Sequence, residues 1–229
     1  MQNSQSPKIE RKGREIHITP PNFTRTIVWL HGLGDSAEGF FPVFADQNIS
    51  LVPEDFKVRL LTAPNVPVTI NGGMACNSWY DIISLDRSKN SYSFEDVKKN
   101  SEYVSKCLDE ELEILKGDSS KLYIGGFSQG CAMALHNGLS YKEKLGGIIG
   151  LSGYLFEQTK IPEEQPPLIL CHGEDDMVIN IEHALKSYER NDFYKRQGIE
   201  LHRCKGLGHS LDQNVISLTK KFMKKILKR

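Results

Sequence analysis

Ser128 stands in Gly126-Phe127-Ser128-Gln129-Gly130, between the apolar run Leu122-Tyr123-Ile124 and an amphipathic run from Ala132 to Leu139. A strand, a sharp turn and a helix in that order put the hydroxyl at the tip of the turn, an arrangement known as a nucleophile elbow. Strand and helix approach closely in such a turn, so a Cβ at position 126 or 130 would collide. A serine hydroxyl is a weak nucleophile at neutral pH. It needs an adjacent base, and the base needs an orienting acid. Downstream, the loop His172-Gly173-Glu174-Asp175-Asp176 offers the acid and Lys205-Gly206-Leu207-Gly208-His209 offers the base. Spacing alone does not separate Asp176 from Glu174 and Asp175, whereas Asp212 follows the histidine and breaks the order serine, acid, histidine. His209 stands out among seven histidines by its glycine-flanked place past the last strand. His31, His172 and His202 read as strand-end or loop histidines making structural hydrogen bonds, and His136 falls on the helix after the serine. Acyl chemistry also needs N–H donors for the oxyanion. The backbone of Gln129, next to the nucleophile, is one, and that of Leu33 in His31-Gly32-Leu33-Gly34 is the second.

These residues require strands that end where they begin. Glu15 to Thr19 reads as a first strand, with Ile16 and Ile18 on one face. Thr26 to Leu30 reads as a strand buried on both sides. Further strands are expected at Val58 to Leu61, Lys121 to Gly125, Gly146 to Leu151, Pro167 to Cys171 and Ile199 to Cys204. Helices are expected over Ala37 to Gln47, Phe94 to Lys116, Gln129 to Leu139, Ile181 to Arg196 and Ser210 to Lys228. The 94–116 helix carries the stripe Phe94, Val97, Val104, Leu108, Leu112 and Leu115. Ser93 with Asp96 resembles a capping box, and Gly117 is placed as a C-cap. Strands alternating with helices imply an α/β chain with a doubly wound, mostly parallel sheet and helices on both faces. Ser128, the 174–176 carboxylates and His209 then all lie at the carboxyl ends of strands, where open parallel sheets build their sites. A polar tail is expected over 1–13 and one domain over 14–229. Val66 to Ser93 is long, turn-rich and aromatic, which favours a packed, functional loop.

Composition narrows the function further. The 229 residues carry 29 basic and 29 acidic side chains, a formal net charge of zero, so nothing argues for nucleic acid as a partner. The basic C-terminus (Lys220, Lys221, Lys224, Lys225, Lys228, Arg229) interleaves with Val215, Leu218, Phe222 and Ile226 at helical spacing. Its lysines read as the solvated face of a docked helix, and transient contact with an anionic membrane surface is the minority reading. Five cysteines, at 76, 107, 131, 171 and 204, are odd in number and form no C-x-x-C pair. Reduced buried thiols and a cytoplasmic location are expected, with no metal site. Met1 to Lys8 is polar, and Gln2 occupies the position where myristoylation requires glycine. No apolar run reaches membrane-spanning length.

Taken together, the motifs resemble the acyl-protein thioesterase, lysophospholipase and carboxylesterase family of α/β-hydrolases. The likeness runs from about Thr26 to the C-terminus. It is carried by Leu30-His31-Gly32-Leu33-Gly34-Asp35, Ala63-Pro64 with Pro67-Val68-Thr69, Asn71-Gly72-Gly73, Trp79-Tyr80-Asp81, Gly125 to Gly130, His172-Gly173 with Asp176, and Gly208-His209-Ser210. The resemblance selects Asp176 as the acid. It implies an oxyanion hole made by Leu33 and Gln129, and it makes Trp79 a wall of the acyl site. It implies a serine hydrolase with no metal or organic cofactor, acting on acyl thioesters or esters, most readily S-acylated cysteines on proteins. Lysophospholipid or small-ester hydrolysis is the alternative within the same machinery. A non-catalytic binding relative is disfavoured, because no triad member is missing. The likeness is also the ground for expecting a homodimer through the sheet edge or the active-site face. The chain departs from the family at Cys131, where glycine is common, at Tyr80, where phenylalanine is usual, and at Ile179-Asn180, where Val-Pro is usual. It also lacks the cysteine near the N-terminus that targets relatives to membranes.

Overall fold

The computed structural model describes residues 6–84 and 91–228. Ten strands and five α-helices are assigned among them. In chain order they are β1 (Lys8–Lys12), β2 (Glu15–Thr19), β3 (Arg25–Leu30), α1 (Ala37–Ala45), β4 (Phe56–Leu61), β5 (Asn65–Pro67), β6 (Ala75–Asn77), α2 (Phe94–Ile114), β7 (Leu122–Phe127), α3 (Gln129–Ser140), β8 (Gly147–Leu151), β9 (Leu168–Gly173), α4 (Ile181–Tyr188), β10 (Ile199–Cys204) and α5 (Gln213–Ile226). Eight strands form one sheet in the order β1-β2-β4-β3-β7-β8-β9-β10, and β5 and β6 pair as a separate hairpin. The ladders from β4 to β10 are parallel, and β1 and β2 add an antiparallel edge.

Successive side chains in a strand point to opposite faces, and both faces of this sheet are covered. Val28, Leu30, Ile124, Ile148 and Leu170 meet α2, α3 and α4 on one side. Ile27, Trp29, Tyr123, Ile149 and Ile169 meet α1 and α5 on the other. This is why β3 reads as an unbroken apolar run. Helix α3 is buried nearly all round, as a helix between a sheet and a second helix must be. Helix α5 buries Val215, Ile216, Thr219, Phe222 and Met223 and exposes Lys221, Lys224 and Lys225. No helix of the described residues is long and apolar enough to cross a membrane.

Two expectations need correction. The polar tail over 1–13 is in part a strand, since Lys8–Lys12 pairs in register with β2. Ile9 is its one apolar side chain, so main-chain hydrogen bonds hold it and the side-chain pattern is silent. Residues 1–5 of that tail lie outside the described residues. The 181–196 helix stops at Tyr188 and gives way to a 3-10 turn over Arg190–Lys195. There Asp192 adopts φ 51°, which breaks the α-helical register. Arg190 meanwhile reaches the carbonyls of Phe156, Glu157 and Thr159. The 66–93 segment contains the β5–β6 hairpin and a 3-10 turn, and residues 85–90 of it lie outside the described residues.

Strand β4 is longer than its apolar part because Lys57 and Arg59 within it are buried. Lys57 Nζ lies 2.7 and 2.8 Å from the two carboxylate oxygens of Glu111, which faces the sheet from α2. Arg59 binds Glu15 through Nε at 2.8 Å and Nη2 at 3.1 Å, and Tyr103 donates to the same carboxylate at 2.6 Å. Burial by itself would raise the Glu15 pKa. Hydrogen bonds from His17, Arg59 and Tyr103 overcome it and hold the group at about 2.

Candidate active site

The elbow forms as the glycines require. Ser128 links β7 to α3 with φ 56° and ψ −120°, a strained backbone for a residue with a side chain. A Cβ on residue 126 would lie 2.3 Å from the Gly130 carbonyl oxygen, and one on residue 130 would lie 2.2 Å from that of Leu30. Cys131, the departure from glycine, is wholly buried. Its side chain occupies space left open by Gly150 and Gly153, where a Cβ would come within 3.1 and 2.5 Å of it. Burial pushes its thiol pKa up, so it is no competing nucleophile.

Three loops at the carboxyl ends of β7, β9 and β10 bring Ser128, Asp176 and His209 into one hydrogen-bonded line. His209 Nε2 is 2.8 Å from Ser128 Oγ, and His209 Nδ1 is 2.7 Å from Asp176 Oδ2. A carboxylate only accepts, so Nδ1 carries the proton and Nε2 is left to accept from the serine. The other Asp176 oxygen accepts from the N–H groups of Val178 at 2.9 Å and Ile179 at 2.7 Å, which fixes the carboxylate's rotamer. Glu174 instead pairs with Arg203, and Asp175 points to solvent, so geometry separates the three neighbouring acids. Asp212 caps α5 through its bond to Val215 N–H. The His209 ring leans on Phe127, centroid to centroid 4.9 Å. Asn180, standing where proline is usual, caps α4 by accepting from Glu182 N–H at 2.8 Å, and so supplies a fixed end to the acid loop. His172 donates from Nε2 to Ile179 O at 2.7 Å and props the same loop from beneath.

Gln129 is the first residue of α3, so its N–H has no partner within the helix and stands at the positive end of the helix dipole. Leu33 lines the same cavity as Ser128. Its loop is held by His31, whose Nε2 accepts from Ala63 N–H at 3.0 Å and whose Nδ1 donates to Gly32 O at 2.6 Å. Burial lowers the His31 pKa and keeps the ring neutral for that bridging role. His202 bonds to Glu200, and His136, on α3, bonds to Thr159 Oγ1.

Ser128 opens on a cavity of about 640 Å³, whose apolar wall is formed by Tyr80, Ile82, Tyr92, Tyr154, Leu155 and Ile179. Trp79 is not part of that wall. It is wholly buried, its indole N–H donates to His31 O at 2.9 Å, and its backbone N–H donates to the Gln129 side chain at 2.8 Å. Its neighbour Tyr80, in the same bend, is the residue that lines the cavity. Tyr80 Oη and Tyr154 Oη lie 2.8 Å apart, a contact that phenylalanine at position 80 could not make. The wall residues come from four separate segments, and only the aromatic density around Trp79-Tyr80 hinted at them in the sequence.

Comparison with known proteins agrees with the fold. Residues 14–227 match the family described as phospholipase/carboxylesterase. Acyl-protein thioesterase 1 homolog 1 of Dictyostelium discoideum is 36% identical over 212 residues, 88% of this chain and 90% of that protein. Acyl-protein thioesterase 1 of Emericella nidulans is 30% identical over 222 residues, 89% and 91% of the two chains. Among solved structures, SOBER1 of Arabidopsis thaliana superposes with a TM-score of 0.75 at 30% identity, covering 89% of this chain and 99% of that one. Acyl-protein thioesterase 2 of Zea mays gives a TM-score of 0.75 at 26% identity, covering 94% and 100%. With a matching fold, a family match over nearly its whole length and relatives of this similarity, the chain belongs to the phospholipase/carboxylesterase family and is a serine hydrolase of the acyl-protein thioesterase and carboxylesterase type.

Proposed function

We propose that this protein removes long acyl chains from S-acylated cysteines on proteins, through an acyl-enzyme on Ser128. The observation that carries the reading is the line Ser128–His209–Asp176 opening on an apolar cavity of about 640 Å³. Ser128 Oγ attacks the thioester carbonyl while His209 Nε2 takes its proton. Asp176 holds the Nδ1–H tautomer and stabilises the imidazolium. The N–H groups of Leu33 and Gln129 donate to the oxyanion of the tetrahedral intermediate. Its collapse expels the cysteine thiolate, protonated by His209 where needed. Water, activated by the same imidazole, then releases the fatty acid. Tyr80, Ile82, Tyr92 and Ile179 enclose the chain, and no metal or organic cofactor takes part. The partners are an acylated protein or lipid, met in the cytoplasm or transiently at a membrane surface. Nucleic acid is not among them. A homodimer remains part of the proposal, and a monomer mass at all concentrations would remove it.

Turnover of a palmitoylated cysteine peptide and of lysophosphatidylcholine by one preparation tests the reading, with Ser128→Ala beside it. The substitution is expected to lower kcat by about 10⁶-fold on both. Faster turnover of the peptide supports the thioesterase assignment. Preference for the lipid replaces it with lysophospholipase activity, and turnover of neither rejects both.

A further inference from the structure

One short segment, Asn77 to Tyr80, is tied to both halves of the oxyanion hole and to the acyl cavity. Towards the Leu33 loop, Asn77 O accepts from Gly34 N–H at 2.8 Å, Asn77 Nδ2 donates to Asp35 O at 2.8 Å, and the Trp79 indole donates to His31 O at 2.9 Å. Towards α3, the Gln129 carboxamide is fully engaged. Its Oε1 accepts from Trp79 N–H at 2.8 Å, and its Nε2 donates to Tyr80 O at 2.7 Å and to Ser78 Oγ at 3.0 Å. Ser78 Oγ donates in turn to Tyr80 O at 2.7 Å. Gln129, Ser78 and Trp79 are all buried, so these bonds lie out of contact with solvent. The last residue of the segment, Tyr80, puts its ring into the cavity wall and its hydroxyl against Tyr154.

We propose that the segment Asn77–Tyr80 couples filling of the acyl cavity to the geometry of the oxyanion hole, with the Gln129 carboxamide as the positioning group. The inference rests on the function proposed above only in taking the cavity as the acyl site. A long chain pressing on the Tyr80 ring acts on a backbone whose carbonyl is bonded to the side chain of the residue that supplies one oxyanion donor. The same segment braces the loop that supplies the other. Binding energy from remote methylenes is thereby realised at the reacting carbonyl and raises kcat, whereas a passive channel would lower KM alone. Acylation and deacylation both pass through an oxyanion, so the effect applies to whichever step limits turnover.

The test compares p-nitrophenyl acetate, whose acyl chain is a single methyl group, with p-nitrophenyl octanoate, in the wild type, Gln129→Ala and Asn77→Ala. Alanine at 129 keeps the backbone donor and removes the clamp. Asn77→Ala loosens the opposite tether from a half-buried position and serves if Gln129→Ala does not fold. The wild type is expected to show a higher kcat with octanoate. In each variant the ratio of octanoate to acetate kcat should fall about tenfold, with the octanoate KM changed by less than about threefold. A wild-type kcat independent of chain length overturns the coupling. So does an equal loss on both esters, which is what mere scaffolding of the hole would give, or a loss confined to KM. The palmitoyl-peptide assay decides the proposed thioesterase function separately, because both esters in the ratio carry the same nitrophenolate leaving group and neither is a thioester.

Discussion

At the scale of single residues, the site depends on which atom holds a proton and which carbonyl a Cβ would strike. Asp176 touches His209 only through Nδ1, at 2.7 Å, so in the proposed mechanism its task is to fix the tautomer. Asp176→Asn preserves the shape but offers an amide in place of an acceptor. It is expected to lower kcat by about 10⁴-fold near pH 7, with an unchanged circular dichroism spectrum, as steady-state kinetics would register. The serine, its flanking glycines and His209 were legible from residue type and spacing. The choice of Asp176 over its neighbours was not, because three adjacent carboxylates differ only in where the loop turns them. Gln129 was expected to act through its backbone N–H, whereas its side-chain clamp was not legible, since its partners Ser78 to Tyr80 lie some fifty positions earlier.

At the scale of elements, β2, β4 and α2 are joined by buried charges. Lys57 and Glu111 are paired at 2.7 Å with almost no solvent contact. Removing one partner leaves an uncompensated ion in the core, so Glu111→Ala is expected to cost about 3–5 kcal/mol in urea unfolding. The double substitution Lys57→Met with Glu111→Leu should recover most of that loss, because a packed apolar pair has no ions to desolvate. If the double variant is no more stable than Glu111→Ala, that explanation is wrong. The same cluster accounts for the strand whose start the apolar pattern missed. Phe56-Lys57 reads as a polar boundary until Glu111 arrives from a helix 54 positions away. Strand β1 escaped the pattern for the opposite reason, since its side chains are mostly solvated and its ladder is all main chain.

For the molecule as a whole, acid stability follows from groups held in one protonation state. Burial depresses the His136 pKa from 6.5 to about 4, and it depresses that of His31 in the same direction. Between about pH 6.5 and 4 the unfolded chain therefore binds a proton at His136 that the folded chain refuses, and stability falls as pH falls. Glu15 acts lower. Its folded pKa of about 2 lies below its ordinary 4.5, so its contribution is complete above pH 4.5 and is lost as pH falls towards 2. Thermal unfolding followed from pH 8 to 2 should decline in these two stages. His136→Gln should make the upper stage shallower, His31 supplying the remainder, and leave the lower one; an unchanged upper slope would rule His136 out as a source.

The alternation of apolar strands with amphipathic helices, the strained serine turn and the order serine, acid, histidine were determined by the sequence by itself. Each is a local pattern, set by side-chain periodicity or by the absence of a Cβ. The wall of the cavity beside Ser128, the placing of Tyr80 rather than Trp79 in that wall, and the bonds from Asn77–Tyr80 to Gln129 and to the Leu33 loop were decided only by the tertiary structure. Those features depend on which face of a short segment meets residues far away in the chain. That is settled when the sheet order places the ends of β3, β7, β9 and β10 side by side.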